Sequence, residues 1–310
     1  MRIVFCGTPE FAVPSLRRLA ADQSIYVEAI ITQPDRPRGR GQSVGGSPVK
    51  TAALAADLHV YQPETIKSDS AQDFLKRVAP DAVVIIAYGQ IIPARLLTIP
   101  RLGWINLHAS LLPKYRGAAP IQWAIASGET RSGLTTMQID AGMDTGPILM
   151  QREVEIGSDE TAPELAARMS EMGAGLIVDT LLQFDRGEIS LRPQDSQKAT
   201  YAPILKKEDG RIDWSRSAQQ IYNRMRGFNP WPGAYSTFRG KSLLIHAARI
   251  PQETGVPPST FLVQHDRLLV GAGGGSVLEI LELQLEGKKR MAVRDFIHGY
   301  QPKAGERLGS

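Results

Sequence analysis

The strongest constraint on this chain is a change of pattern near residue 200. Before it, the short apolar runs RIVFCG, YVEAIITQ, DAVVIIAYG, GWINLH and LTTMQID stand among longer amphipathic stretches, PEFAVPSLRRLAA, SPVKTAALAADL and DSAQDFLKRVA. Apolar residues spaced three and four apart belong on one face of a helix, whereas short β-branched runs belong in strands. Strands separated by helices are too far apart in sequence to pair as hairpins. The alternation therefore predicts an open, mostly parallel Rossmann-like sheet covered by helices, an α/β fold. A long pattern from Thr161 to about Phe184 should be the helix that closes this domain, with Gly187 as its stop.

From about Asp195 to Asp213 the stretch DSQKATYAPILKKEDGRID is polar, basic and turn-rich, as a linker is. Beyond it one helix, SAQQIYNRMRG, precedes FNPWPGA and a series of short strands: AYSTF, SLLIHAARI, TFLVQ, RLLVGA and SVLEILELQL. Such a series predicts a small C-terminal OB-like β-barrel. The glycines of GAGGG lie between two strands with no following helix, so they read as a hairpin turn and not a phosphate loop. Two domains are expected, residues 1–204 and 205–310, and 310 residues suffice for two cores.

The composition excludes some functions. No run of about 18 apolar residues and no basic, apolar leader is present, so a cytoplasmic protein with no membrane association is expected. The single Cys6 sits in an apolar strand and reads as core volume, and a cysteine-based zinc site is ruled out. Charge is unevenly spread: residues 1–204 carry 20 basic and 22 acidic side chains, whereas 205–310 carry 16 and 10, a local excess of +6. Alone, that excess reads as a solvated surface.

Three motifs bear on chemistry. FCGTPEF holds the position of a nucleotide-binding turn but has one glycine and no GxGxxG spacing, so no dinucleotide cofactor is expected. Its turn either serves as a simple tight bend or offers N–H groups to an anion. DAGMDTG, residues 140–146, fails as a calcium loop because Gly142 stands at the second ligand position and Thr145 where glycine is required. NLHASLLPKYRGAAP follows the run GWI, and strand alternation puts Asn106 and His108 on one face. Ligands of open parallel sheets bind beyond the carboxyl ends of the strands, where these two residues and the 140–144 loop are expected to meet. An amide, an imidazole and a carboxylate gathered there suit acyl-type transfer, with Asn as oxyanion donor, His as proton carrier and Asp as support for the histidinium. No GxSxG elbow supplies a serine nucleophile, so direct transfer between two bound substrates is the more economical mechanism.

NLHASLLPKYRGAAP followed by IDAGMDTGPIL resembles the signature of the folate-dependent formyltransferases, with the family's Asn, His and Asp falling on Asn106, His108 and Asp144. TQPDRPRGRGQ, SPVK, YAPILKKEDGRIDW and RGFNPWPGAY extend the resemblance over nearly the full chain, to the branch of that family that acts on charged tRNA. It implies transfer of a formyl group from 10-formyltetrahydrofolate to the α-amino group of initiator methionyl-tRNA. No metal is expected, since the sequence offers no thiolate cluster, and a monomer is expected. The resemblance further implies that Asn106 and His108 stabilise the formyl oxygen, that His108 shuttles the proton and that Asp144 supports it.

By the same resemblance the folate signature falls on Ser110, Leu111, Leu112 and Pro113. The pterin slot is expected around Tyr88, Gln90 and Ile92 and the backbone of the 140–144 loop, Asp140 included. Arg36, Arg38 and Arg40 of the Pro- and Gly-rich loop are expected to seat the acceptor end of the tRNA. Lys206, Lys207 and Arg211 are expected on its phosphates. Two rivals stand beside this reading: the same chemistry on a small nucleotide-linked amine, and a non-catalytic RNA-binding protein.

Overall fold

The run RIVFCG forms strand β1 (Arg2–Gly7), buried on both parities from Ile3 to Cys6, and lies inside a seven-stranded sheet. The computed structural model describes residues 1–38 and 43–309, with side chains outside 37–44. After β1 come α1 (Val13–Ala21), β2 (Tyr26–Ile31), the antiparallel pair β3 (Arg36–Arg38) and β4 (Ser43–Gly45), α2 (Pro48–Ala55), β5 (Val60–Tyr61), α3 (Asp69–Val78) and β6 (Ala82–Ile86). Next are α4 (Ala94–Leu97), β7 (Trp104–His108), α5 (Pro120–Ala126), β8 (Arg131–Gln138), β9 (Ile148–Glu155) and the long α6 (Ala162–Asp185).

Serine side chains cap the starts of α2 and α3. Ser47 Oγ accepts from Lys50 N–H at 3.0 Å before α2, and Ser68 Oγ accepts from Ala71 N–H at 3.2 Å before α3. Each such cap is worth about 1 kcal/mol. Gly187, at φ 71°, takes the left-handed conformation just beyond α6, as a helix stop requires.

The sheet order is β5-β2-β1-β6-β7-β8-β9. From β5 to β7 all pairings are parallel, which makes the sheet Rossmann-like, and the crossover direction reverses between β1 and β6. Its last two strands differ: β8 runs antiparallel to β7, and β9 antiparallel to β8. β9, with only its first two residues and Val154 buried, carries an edge pattern too weak to stand out in the sequence. On one face Val4, Cys6, Ile31, Val83, Ile85 and Trp104 pack with Phe74, Leu75 and Leu96. The buried Trp104 indole N–H is satisfied by the Leu96 carbonyl at 2.8 Å.

The chain divides into two compact units, the first comprising residues 1–120, 131–155 and 165–203, and the second 121–130, 156–164 and 204–310. The second contains α7 (Ala218–Gly227), β10 (Ala234–Phe238), β11 (Lys241–Arg249), β12 (Phe261–Gln264), β13 (Arg267–Gly271), β14 (Val277–Leu285), β15 (Met291–Ala292) and α8 (Val293–Tyr300). The antiparallel ladder runs β10-β11-β14-β13-β12, with β15 on β14. The tail links its two edge strands: Phe261 N–H donates to Glu306 O at 2.8 Å, and Gly309 N–H to Thr237 O of β10 at 2.9 Å. This makes the OB-like barrel. Its core holds Phe238, Phe261 and Phe296, with ring centroids 5.2 to 5.7 Å apart.

One expectation for this unit needs correction. It has a second helix, α8, which the sequence reading omitted. Val293, Phe296, Ile297 and Tyr300 do have helical spacing, but over eight residues this is hard to separate from a strand.

Candidate active site

β7 decides the first part of the geometry. Its hydrogen bonds alternate with its side chains, so Asn106 and His108 share a face, as the sequence requires. His108 is buried, and its Nε2 lies 2.9 Å from the Tyr115 carbonyl oxygen. A carbonyl can only accept, so Nε2 carries the proton and Nδ1 is the basic nitrogen of the neutral ring. Nδ1 faces Asp144 Oδ2 at 3.6 Å. Asn106 is half-buried, and its carboxamide has no hydrogen bond among the described residues.

Asp144 reaches His108 by a route that the parallel-sheet expectation did not contain. Because β8 runs against β7, its carboxyl end lies beside the start of β7: Gln138 is opposite Ile105, and Ile139 N–H donates to Trp104 O. The 139–147 loop must therefore climb about 10 Å, three residues of strand rise, to bring Asp144 level with His108. Two glycines permit it. A Cβ on Gly146 would lie 1.8 Å from Gln138 O, and one on Gly142 would lie 2.0 Å from Thr145 Oγ1. Asp140 folds the loop on itself, its Oδ1 accepting from Gly142 N–H at 3.0 Å and Thr145 O–H at 2.7 Å.

The 109–118 turn is held from three sides. Thr135 of β8 donates to Ser110 O at 2.6 Å and accepts from Leu112 N–H at 3.1 Å; Gln151 of β9 donates to Leu112 O at 2.9 Å. Ser110 O–H closes the turn onto Lys114 O at 2.6 Å. Leu112 is buried beside Met137 and Ile148, Leu111 rests against Gly133, and the Leu112–Pro113 peptide is cis. From the supposed linker, Thr200 Oγ1 accepts from Tyr115 N–H at 2.9 Å, and Thr200 O accepts from Arg116 N–H at 2.8 Å. Gly117 N–H donates to Asp144 Oδ2 at 2.8 Å. Thr135, Gln151 and Thr200 were all missed by sequence reasoning. They lie far from the turn along the chain, and nothing local marks them.

Beyond β1, β2 and β6 a groove of about 790 Å³ opens at the crossover reversal, lined by Thr8, Gln33, Arg36, Glu64, Gln90 and Ile91 among others. The side chains of Tyr88 and Ile92 turn into the core, and burial pushes the Tyr88 phenol up. What the 88–92 turn presents outward is therefore backbone and Ile91, which is 78% exposed. Gln90 ties neighbouring loops together, accepting from Ile66 N–H at 2.8 Å.

Arg36 is exposed on the groove rim. Arg38 lies in β3 with an undescribed side chain, and Arg40 lies outside the described residues. Lys206, Lys207 and Arg211 are exposed, with no ion pair among the described residues. Cys6 is fully buried, and burial pushes its thiol up, out of reach of thiolate chemistry. Among the described residues no helix is long and apolar enough to cross a membrane.

An open α/β sheet with polar groups converging at one end of β7, on a chain that also builds an antiparallel barrel, has the framework of a group-transfer enzyme. The chain belongs to the formyl transferase family: a family model described as Formyl transferase matches residues 1–181, and one described as Formyl transferase, C-terminal domain, matches 204–301. A methionyl-tRNA formyltransferase of Koribacter versatilis is 54% identical over 312 residues, covering 100% of this chain and 99% of the relative. That of Geobacter sulfurreducens is 48% identical, covering 100% and 97%. Among solved structures, an N-formyltransferase of Helicobacter canadensis in complex with folinic acid and dTDP-3-aminofucose has the same fold, with a TM-score of 0.68 at 18% identity, covering 90% of this chain and 98% of that one.

Proposed function

We propose that the protein transfers the formyl group of 10-formyltetrahydrofolate to the α-amino group of initiator methionyl-tRNA. The observation that carries the chemistry is the Asn106 carboxamide, without a hydrogen bond among the described residues, on the same strand face as a histidine whose Nε2 is tied to Tyr115 and whose Nδ1 faces Asp144. The acceptor rests on relatives of the same length at about half identity.

In this reading the amine nitrogen attacks the formyl carbon, forming the new C–N bond and a tetrahedral oxyanion. Asn106 donates to that oxygen. His108 Nδ1 takes the proton leaving the amine, and Asp144 supports the resulting imidazolium. Collapse breaks the bond to the folate nitrogen, which receives the proton from His108. The Ser110–Pro113 turn and the 140–144 loop hold the folate, and the backbone of the 88–92 turn contributes to its pterin slot.

Residues 1–204 form the catalytic domain. Residues 205–310 bind tRNA, with Lys206, Lys207 and Arg211 on phosphates, while Arg36, Arg38 and Arg40 seat the acceptor end. The protein works as a cytoplasmic monomer.

Single-turnover formylation with charged initiator tRNA, beside an aminosugar nucleotide as acceptor, tests this reading. Transfer to the tRNA alone is expected. Transfer to the sugar nucleotide alone, or to neither, would refute it.

A further inference from the structure

We propose that Arg116 and Gln194 form a clamp that positions Asp144 against His108. The inference rests on the catalytic roles given above for those two residues. Gln194 uses its whole side-chain hydrogen-bonding capacity in one direction each way. Its Nε2 donates to the carbonyl oxygens of Asp144 at 2.8 Å and Gly146 at 2.7 Å, and its Oε1 accepts from Arg116 Nε at 3.1 Å and Nη2 at 2.7 Å.

The arrangement closes on itself. Arg116 lies between Tyr115, whose carbonyl holds His108 Nε2, and Gly117, whose N–H holds Asp144 Oδ2. Asp144 is thus gripped by its carboxylate from Gly117 and by its backbone from Gln194, and both grips lead back to Arg116. The Arg116 backbone is in turn fixed by bonds to Thr200 O at 2.8 Å and from Ala202 N–H at 2.7 Å.

One feature indicates that the arrangement serves a purpose beyond packing. Arg116 is 3% exposed and has no carboxylate partner among the described residues. A buried guanidinium without a counter-charge is costly, and a neutral core would be cheaper here. Asp144 sits at φ 54°, in the left-handed region that Asp tolerates better than most residues, which turns its carbonyl and its carboxylate toward the two grips. Gln194 also lies between the segments matched by the two family models, 1–181 and 204–301, immediately before the stretch that reads as linker.

Gln194→Glu separates positioning from folding, because a carboxylate keeps the contact to Arg116 but presents no N–H to the Asp144 and Gly146 carbonyls. KM for both substrates is expected within about twofold of wild type, while the single-turnover rate falls about 10- to 100-fold, the cost of roughly 1 Å of misplacement. The discriminating step is a double-mutant cycle with Asp144→Ala. If Gln194 acts through Asp144, Gln194→Glu costs less than about twofold more in that background. Losses that multiply, or a wild-type rate for Gln194→Glu while Asp144→Ala is impaired, overturn the clamp and leave the catalytic reading intact. An unimpaired Asp144→Ala overturns the catalytic reading and the clamp with it. Should Gln194→Glu lower the unfolding midpoint, the cycle is run with Gln194→Met, which has similar length and no N–H, under the same criteria.

Discussion

His108 Nε2 donates to the Tyr115 carbonyl oxygen at 2.9 Å, which leaves Nδ1, on the Asp144 side, as the only ring nitrogen that can take up a proton. The turn that carries Tyr115 thus fixes the orientation of the ring on the strand that carries His108. Substituting His108 by Ala is expected to bring single-turnover transfer close to background. His108→Gln, which retains a donor but has no titratable nitrogen, is expected to recover less than a tenth of the wild-type rate. Equal rates for His108→Gln and wild type would remove proton transfer from the mechanism.

Asn106→Ala removes one preorganised donor and should lower the rate about 100- to 1000-fold. Because the carboxamide has no hydrogen bond among the described residues, the thermal midpoint is expected to stay within a few degrees of wild type. The two measurements belong together: a large fall in midpoint would make Asn106 a structural residue.

Gly117 has φ 121°, and a Cβ there would lie 2.6 Å from the Ala202 carbonyl oxygen. Gly117→Ala must therefore shift the turn whose N–H holds Asp144. A fall in transfer of about 100-fold, with substrate KM little changed, is expected from such a displacement. Wild-type turnover in this variant would show that the Gly117–Asp144 bond is dispensable.

Glu279 of the barrel is 3% exposed, and hydrogen bonds from Arg267, then Arg249, hold its carboxylate down to about 2 from an ordinary 4.5. The folded chain therefore binds this proton less readily than the unfolded chain. The resulting stabilisation is complete above about 4.5 and is lost as pH falls toward about 2. Urea unfolding of the barrel, followed between pH 6 and pH 3, should weaken less steeply in Glu279→Gln than in wild type. Parallel curves would count against the assignment.

Lys206, Lys207 and Arg211 are exposed and without ion pairs among the described residues. If they meet tRNA phosphates, replacing each by Ala should flatten the slope of log affinity against log salt by roughly 0.7 to 0.9. The weakening should be alike for initiator and elongator tRNAs. A loss confined to the initiator would assign them to discrimination instead.

Much of this was readable along the chain. The apolar runs of β1, β2, β6 and β7 and the shared face of Asn106 and His108 follow from hydrogen-bond period and side-chain chemistry within a few residues. Resemblance nominated Asp144 for the proposed catalytic set, but no local pattern reveals how it comes to face His108. The antiparallel turn of β8, the climb of the 139–147 loop and the tail that closes the barrel depend on which strands pair. Thr200 looks like a solvated linker residue, and Gln194 just before it is unmarked, until Arg116, some eighty positions earlier, supplies their partners. Local period is encoded locally. A contact between distant polar residues exists only once the sheet has brought them within about 3 Å, the range over which a hydrogen bond acts.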